Sequence, residues 1–109
     1  MAVQEFLNEP LGLRARVIFW ITVALIFDVT DQQGRALQTL QEAERTLAAG
    51  EDDDGQALLH YFIGREAFWL REYDVAIAAL EEAKKLKPNY ANAYIGLGVV
   101  HYDRAQLFY

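Results

Sequence analysis

Apolar residues recur along this chain at intervals of three and four, in blocks that resemble one another. In the central block Ile63 and Gly64 fall on one stripe, Tyr73, Ala76, Leu80 and Ala83 form a second, and Pro88 ends the pattern. Thirty-four positions after Gly64 comes Gly98, and Tyr94, Leu97 and Gly98 take the places of His60, Ile63 and Gly64. An earlier block, Trp20, Val23, Ala24 and Phe27 followed by Ala36, Leu40 and Ala43, lies 40 residues upstream of the central one. Forty is one 34-residue period plus six, and the stretch from Glu51 to Gln56 supplies a six-residue insertion. Spacings of three and four put these residues on single helical faces, so the chain reads as helices throughout, with no strand pattern.

The breaks between stripes set the bounds. Asn8, Glu9, Pro10 and Gly12 have a turn-like composition, which makes residues 1–12 a leader and starts the array near Leu13. A first helix runs to about Val29. Thr30 followed by Gln33 has the spacing of a capping box and opens a second helix, which stops near Ala49 and Gly50. A third helix covers about Gly55 to Leu70, a fourth about Tyr73 to Leu86, and a fifth starts after Asn89. The acids Glu51 to Asp54 precede the third helix, where unpaired amides and the helix dipole favour carboxylates. Lys84, Lys85 and Lys87 crowd the end of the fourth, where carbonyls lack partners.

The recurring small and large residues, with Pro88 as a stop, resemble the tetratricopeptide repeat family. The resemblance implies an all-α fold of about five helices, antiparallel hairpins stacked as a right-handed solenoid. Its repeats would fall at about 17–50, 57–90 and 91–109, the last incomplete, which marks a fragment of a longer array. Ala24, Gly64 and Gly98 would be close-approach sites on first helices and Ala36 and Ala76 on second helices. Trp20, Phe27, Leu40, Tyr73, Leu80, Tyr94 and Leu97 would fill the gaps between them. The chain departs from the family where His60 replaces a frequent Trp, Ala67 and His101 a frequent Tyr, and Gln33 the Tyr that opens a second helix.

Charge and composition narrow the function. A net charge of -6 opposes binding to phosphate backbones, so nucleic acid is not an expected partner. The chain has no Cys and no Ser, which excludes thiolate metal sites, disulfides and Ser or Cys nucleophiles. His101 and Asp103, two apart on one helix, point about 200° from each other and cannot coordinate one ion. Gly96-Leu97-Gly98 lacks the third glycine and the strand of a dinucleotide loop. No enzyme activity, metal or cofactor is therefore expected, and the expected location is cytoplasmic. Val17 to Phe27 is a charge-free run, apolar but for Thr22, flanked by Arg14, Arg16 and Asp28. Eleven helical residues rise only about 16 Å, roughly half a bilayer core. The run reads as a repeat helix, and a membrane or targeting segment stays as the alternative.

In the resembled family the first helix of each repeat faces a concave groove that takes a peptide or protein. Here the implied groove positions are Ile18, Ile21 and Leu25, then Leu58, Tyr61, Arg65, Phe68 and Trp69, then Asn92, Ile95, Val99 and Tyr102. Of these, Tyr61, Arg65, Trp69, Asn92 and Tyr102 are the candidate contact residues, since aromatic and Arg side chains most often dominate binding energy. Arg65 is the one base among them, and the family's carboxylate-clamp residues are absent from the matching places. The expected function is a protein-interaction or scaffolding module. Self-assembly, or membrane tethering through the helix at 17–27, are the alternatives.

Overall fold

The computed structural model describes residues 13–46 and 53–107. Among these residues every regular element is a helix: α1 (Leu13–Val29), α2 (Gln33–Thr46), α3 (Asp53–Trp69), α4 (Tyr73–Leu86) and α5 (Ala91–Gln106). The fourth helix has the bounds its stripe dictates, because Tyr73 opens the apolar face and Pro88 follows its end. The leader, the stop near Ala49 and Gly50, and the acids Glu51 and Asp52 lie outside the described residues; Asp53 and Asp54 occupy the first turn of α3.

The two hairpins close with the same backbone device. Asp31 and Arg71, 40 positions apart, adopt left-handed conformations with φ of 61° and 58°. In the first turn the Gln32 amide donates to the Phe27 carbonyl at 2.8 Å and the Asp31 amide to Asp28 at 3.0 Å. In the second, Glu72 donates to Ala67 at 2.8 Å and Arg71 to Phe68 at 2.9 Å. These paired bonds are the Schellman pattern, which satisfies the carbonyls a helix end leaves open. The expected capping box does not form. Thr30 Oγ1 donates backward to the carbonyls of Ile26 and Phe27 at 3.1 and 3.0 Å, because the open carbonyls of α1 are its nearest acceptors.

Packing follows the stripes. α1 pairs with α2 and α3 with α4, while α3 also touches α1, α2 and α5. The core runs through Val17, Ile21 and Ala24 of α1, Ala36, Leu37 and Leu40 of α2, and Ile63, Ala67, Ala76 and Leu80 of the second hairpin. α5 contributes Leu97 and Val100. Small residues let the helices approach. A Cβ placed on Gly64 would lie 2.7 Å from Leu80 Cγ and 3.2 Å from the Ala76 carbonyl oxygen. The partner glycine on α5 is not Gly98, as the 34-residue spacing implied, but Gly96, whose Cβ would meet Leu80 Cδ2 at 3.1 Å. Gly98 has nothing within 4 Å of that position. Leu80 therefore sits between two glycines of successive first helices.

Polar contacts fix α5 to the second hairpin. Tyr73 Oη donates to Asp103 Oδ2 at 2.6 Å, and Arg71 donates to the same oxygen at 3.1 Å. Arg104 lies 3.3 Å from Asp74, and the Tyr94 hydroxyl donates to the Pro88 carbonyl at 2.6 Å. Tyr94, assigned to gap filling, thus ties down the interhelix turn while its ring stays half exposed. His60 is packed and hydrogen-bonded, with Nδ1 2.8 Å from the Gln56 carbonyl and Nε2 3.4 Å from Glu44.

One acid interrupts the core. Glu66, on α3, is 0% exposed, and neither of its carboxylate oxygens meets a donor. Asp28 Oδ1, from the end of α1, is likewise buried without a donor. Burial, and then the neighbouring Asp28, push the Glu66 carboxyl up to about 8, against an opposing pull from Arg65.

Candidate functional site

The groove is built by α3 and α5, which run side by side as the first helices of successive repeats. Their core-facing stripes carry Ile63, Ala67, Leu97 and Val100, so residues one step around each helix turn away from the core. A cavity of about 230 Å³ opens there. Tyr61, Arg65, Phe68 and Trp69 form one wall and Asn92, Ile95 and Val99 the other. Gly64, Gly96 and Leu80 are also in its lining, so the two glycines that admit Leu80 leave the cavity open.

Four of the five candidate residues therefore share one cavity. Tyr102, one turn beyond Val99 on α5, is 70% exposed and outside the lining. The α1 positions assigned to the same groove separate: Ile21 is buried in the core, and Ile18 and Leu25 are exposed away from the cavity. Leu58 lines a different recess with Asp54, Lys87 and Tyr90. Gly64, Leu80, Gly96 and Val100 were missed as lining residues. A signal existed for Gly96, since it lies one helical step from Asn92 and Ile95 and its lack of a side chain opens the wall between them.

The aromatic groups are held in place by one another. The Tyr61 ring lies 5.7 Å from Tyr90 and 5.4 Å from Phe62, the latter edge-on, and Phe68 lies 5.9 Å from Trp69. Burial raises the Tyr90 phenol above its ordinary range. Trp69 remains 62% exposed, a large apolar surface left to solvent. The Arg65 guanidinium lies 5.6 Å over the Phe62 ring. It forms no ion pair with an acid among the described residues, so neither Glu66 nor Glu72 neutralises it. An unpaired guanidinium braced by a ring, beside apolar walls, can accept a carboxylate in a charge-assisted bond.

The lysines at the end of α4 are engaged elsewhere. Lys84 pairs with Glu81 at 3.0 Å and sits over Tyr94, and Lys87 lies 3.6 Å from Asp54. No group of three metal-type ligands occurs among the described residues. No helix among them is long and apolar enough to cross a membrane.

Comparison with known proteins agrees with this architecture. A family model described as TPR repeat matches residues 66–104, the end of α3, all of α4 and most of α5. No curated protein and no solved structure matches the chain. Repeats of this family generally mediate protein–protein interaction or scaffolding. Residues 66–104 match a tetratricopeptide repeat, and they lie within an all-α stack of helical hairpins.

Proposed function

We propose that the cavity between α3 and α5 is a binding site for a protein segment that is apolar or amphipathic and carries one acidic group against Arg65. The observation that carries this reading is Arg65 itself, a guanidinium with no acidic partner among the described residues, beside the exposed Trp69 ring. Aromatic and Arg side chains bury large area at modest entropy cost, which suits them to dominate a small interface. The cavity is too small for a folded partner, and about 230 Å³ matches one or two side chains of a docked segment. Tyr102, exposed one turn along, would extend the contact beyond the cavity.

Isothermal titration of apolar helical peptides, with and without a single Glu, tests this reading. The acid-bearing peptide is expected to bind more tightly, and Arg65→Ala to abolish the difference. Equal binding of both peptides to the unaltered chain would overturn it.

A second reading rests on α1. Ile18, Leu25, Ile26 and Val29 are exposed on one helix, an apolar surface that a second copy of the chain could cover. Light scattering across protein concentration separates this self-assembly from binding in the groove. A membrane-associated role for α1 would appear as vesicle binding of a monomer.

A further inference from the structure

We propose that Glu66 and Asp28 share a single proton across the contact between α1 and α3, making the seating of the first hairpin on the second a proton-dependent joint. Glu66 is fully buried, and three oxygens of the two carboxyl groups are buried with no donor from the protein. Orphaned acceptors at this depth demand an explanation, because a buried acceptor without a donor loses its hydration and gains nothing in return. Two ionised carboxylates cannot satisfy each other, since both only accept. With one proton between them, one becomes a donor and the other its acceptor.

The surroundings assign the proton to Glu66. Asp28, half-buried at the end of α1, remains the anionic acceptor, and its charge favours a neutral Glu66. Arg65, on the same helix as Glu66, acts the other way and is the weakest of the influences. From α2 the charged residues Arg35, Glu42, Glu44 and Arg45 are all exposed. From α4 Asp74, Glu81 and Lys85 are exposed and Glu82 and Lys84 half-buried; on α1 Arg16 is half-buried, and from α5 His101 and Arg104 are exposed and Asp103 half-buried. None of these is among the charges acting on Glu66. In the next repeat Val100 takes the place of Glu66 and is buried without any such requirement. The fold therefore accepts an apolar side chain at this level, and the acid adds a dependence on pH that packing does not need.

The direction follows from linkage. A carboxyl whose folded pKa lies above its unfolded value of 4.5 binds more protons in the folded chain. Its contribution to stability is complete below that unfolded value and declines as pH rises toward about 8. Loss of the proton would set the buried Glu66 anion against the half-buried Asp28 carboxylate and drive α1 off α3, uncovering Val17, Ile21 and Ala24.

The test compares urea unfolding of the full chain and of Glu66→Gln from about pH 5 to about pH 9. The Gln amide donates to Asp28 at every pH. Relative to that variant, the unaltered chain is expected to lose at least about tenfold in folding equilibrium constant across the range. Equal pH dependence in the two proteins would overturn the proposal. Infrared spectroscopy supplies a readout that needs no variant to fold. The C=O stretch of a protonated carboxyl is expected from the folded, unaltered chain at about pH 6.5, where ordinary Asp and Glu are ionised, and not from the same chain in urea. Absence of that band from the folded chain would equally overturn it.

Discussion

Gly64 and Gly98 occupy the same place in successive repeats, and the structure gives them opposite fates on substitution. Exchanging a helical glycine for alanine gains roughly 0.5 to 1 kcal/mol from backbone entropy and helix propensity. At Gly98 nothing lies within 4 Å of the new methyl group, so Gly98→Ala is expected to stabilise the chain by about that amount. At Gly64 the methyl would come within 2.7 Å of Leu80 Cγ and 3.0 Å of Cδ2. Cγ is a branch point rather than a flexible tip, and the Ala76 carbonyl at 3.2 Å limits escape. Overpacking of this kind costs about 1 to 3 kcal/mol, which exceeds the propensity gain. Gly64→Ala is therefore expected to destabilise by up to about 2.5 kcal/mol net, the opposite sign to Gly98→Ala. Leu80→Ala alone removes a fully packed side chain and should cost about 2 to 5 kcal/mol. The double variant should lose less than the two single losses added together, because the clash disappears with Leu80. Urea unfolding followed by circular dichroism measures all four proteins. Equal effects at Gly64 and Gly98, or strict additivity with Leu80→Ala, would refute the placement of Leu80 between α3 and α5.

Arg65→Ala is expected to weaken binding of an acid-bearing apolar peptide by about ten- to a hundredfold, the equivalent of one charge-assisted bond, with the fold intact. Lys84→Ala, whose ammonium is occupied by Glu81 and Tyr94, should change affinity little, and calorimetric titration of both variants decides between the two faces. Asp31→Gly relieves a left-handed φ of 61° at the first hairpin turn and should raise stability by under about 1 kcal/mol in urea unfolding. Tyr73→Phe removes the 2.6 Å bond to Asp103 and should cost about 1 kcal/mol, with faster amide exchange in α5 than in α3 as the local sign.

The helices were legible because their apolar stripes keep a helical period over two or more turns and because Pro88 is an unambiguous stop. The two hairpin turns were harder. Neither Asp31 nor Arg71 is a glycine, so nothing in residue type announces the left-handed conformation that the 40-residue offset repeats. The Thr30 hydroxyl can accept from the amides that open α2 or donate to the carbonyls that close α1, and spacing does not rank the two; it donates backward. The groove residues followed from rotating one step around each stripe, which placed Tyr61, Arg65, Trp69 and Asn92 together. The same step did not carry to α1, where Ile21 packs inward against α2 and α3 rather than facing the cavity. Gly98 was assigned a close crossing on periodicity alone, but contact needs a facing helix, and Gly96 is the glycine that Leu80 meets. Glu66 escaped because a search for recurring apolar positions passes over an acid, and its partner Asp28 lies 38 residues away in another hairpin.

The central claim, that the α3–α5 cavity is where a partner docks, is tested most directly by nuclear magnetic resonance mapping of the isotopically labelled chain. The probe is an apolar helical peptide carrying a single Glu. The account predicts shift changes concentrated on Tyr61, Arg65, Trp69, Asn92, Ile95 and Val99, and their loss in Arg65→Ala. Changes centred instead on the exposed face of α1, at Ile18, Leu25 and Ile26, would contradict it.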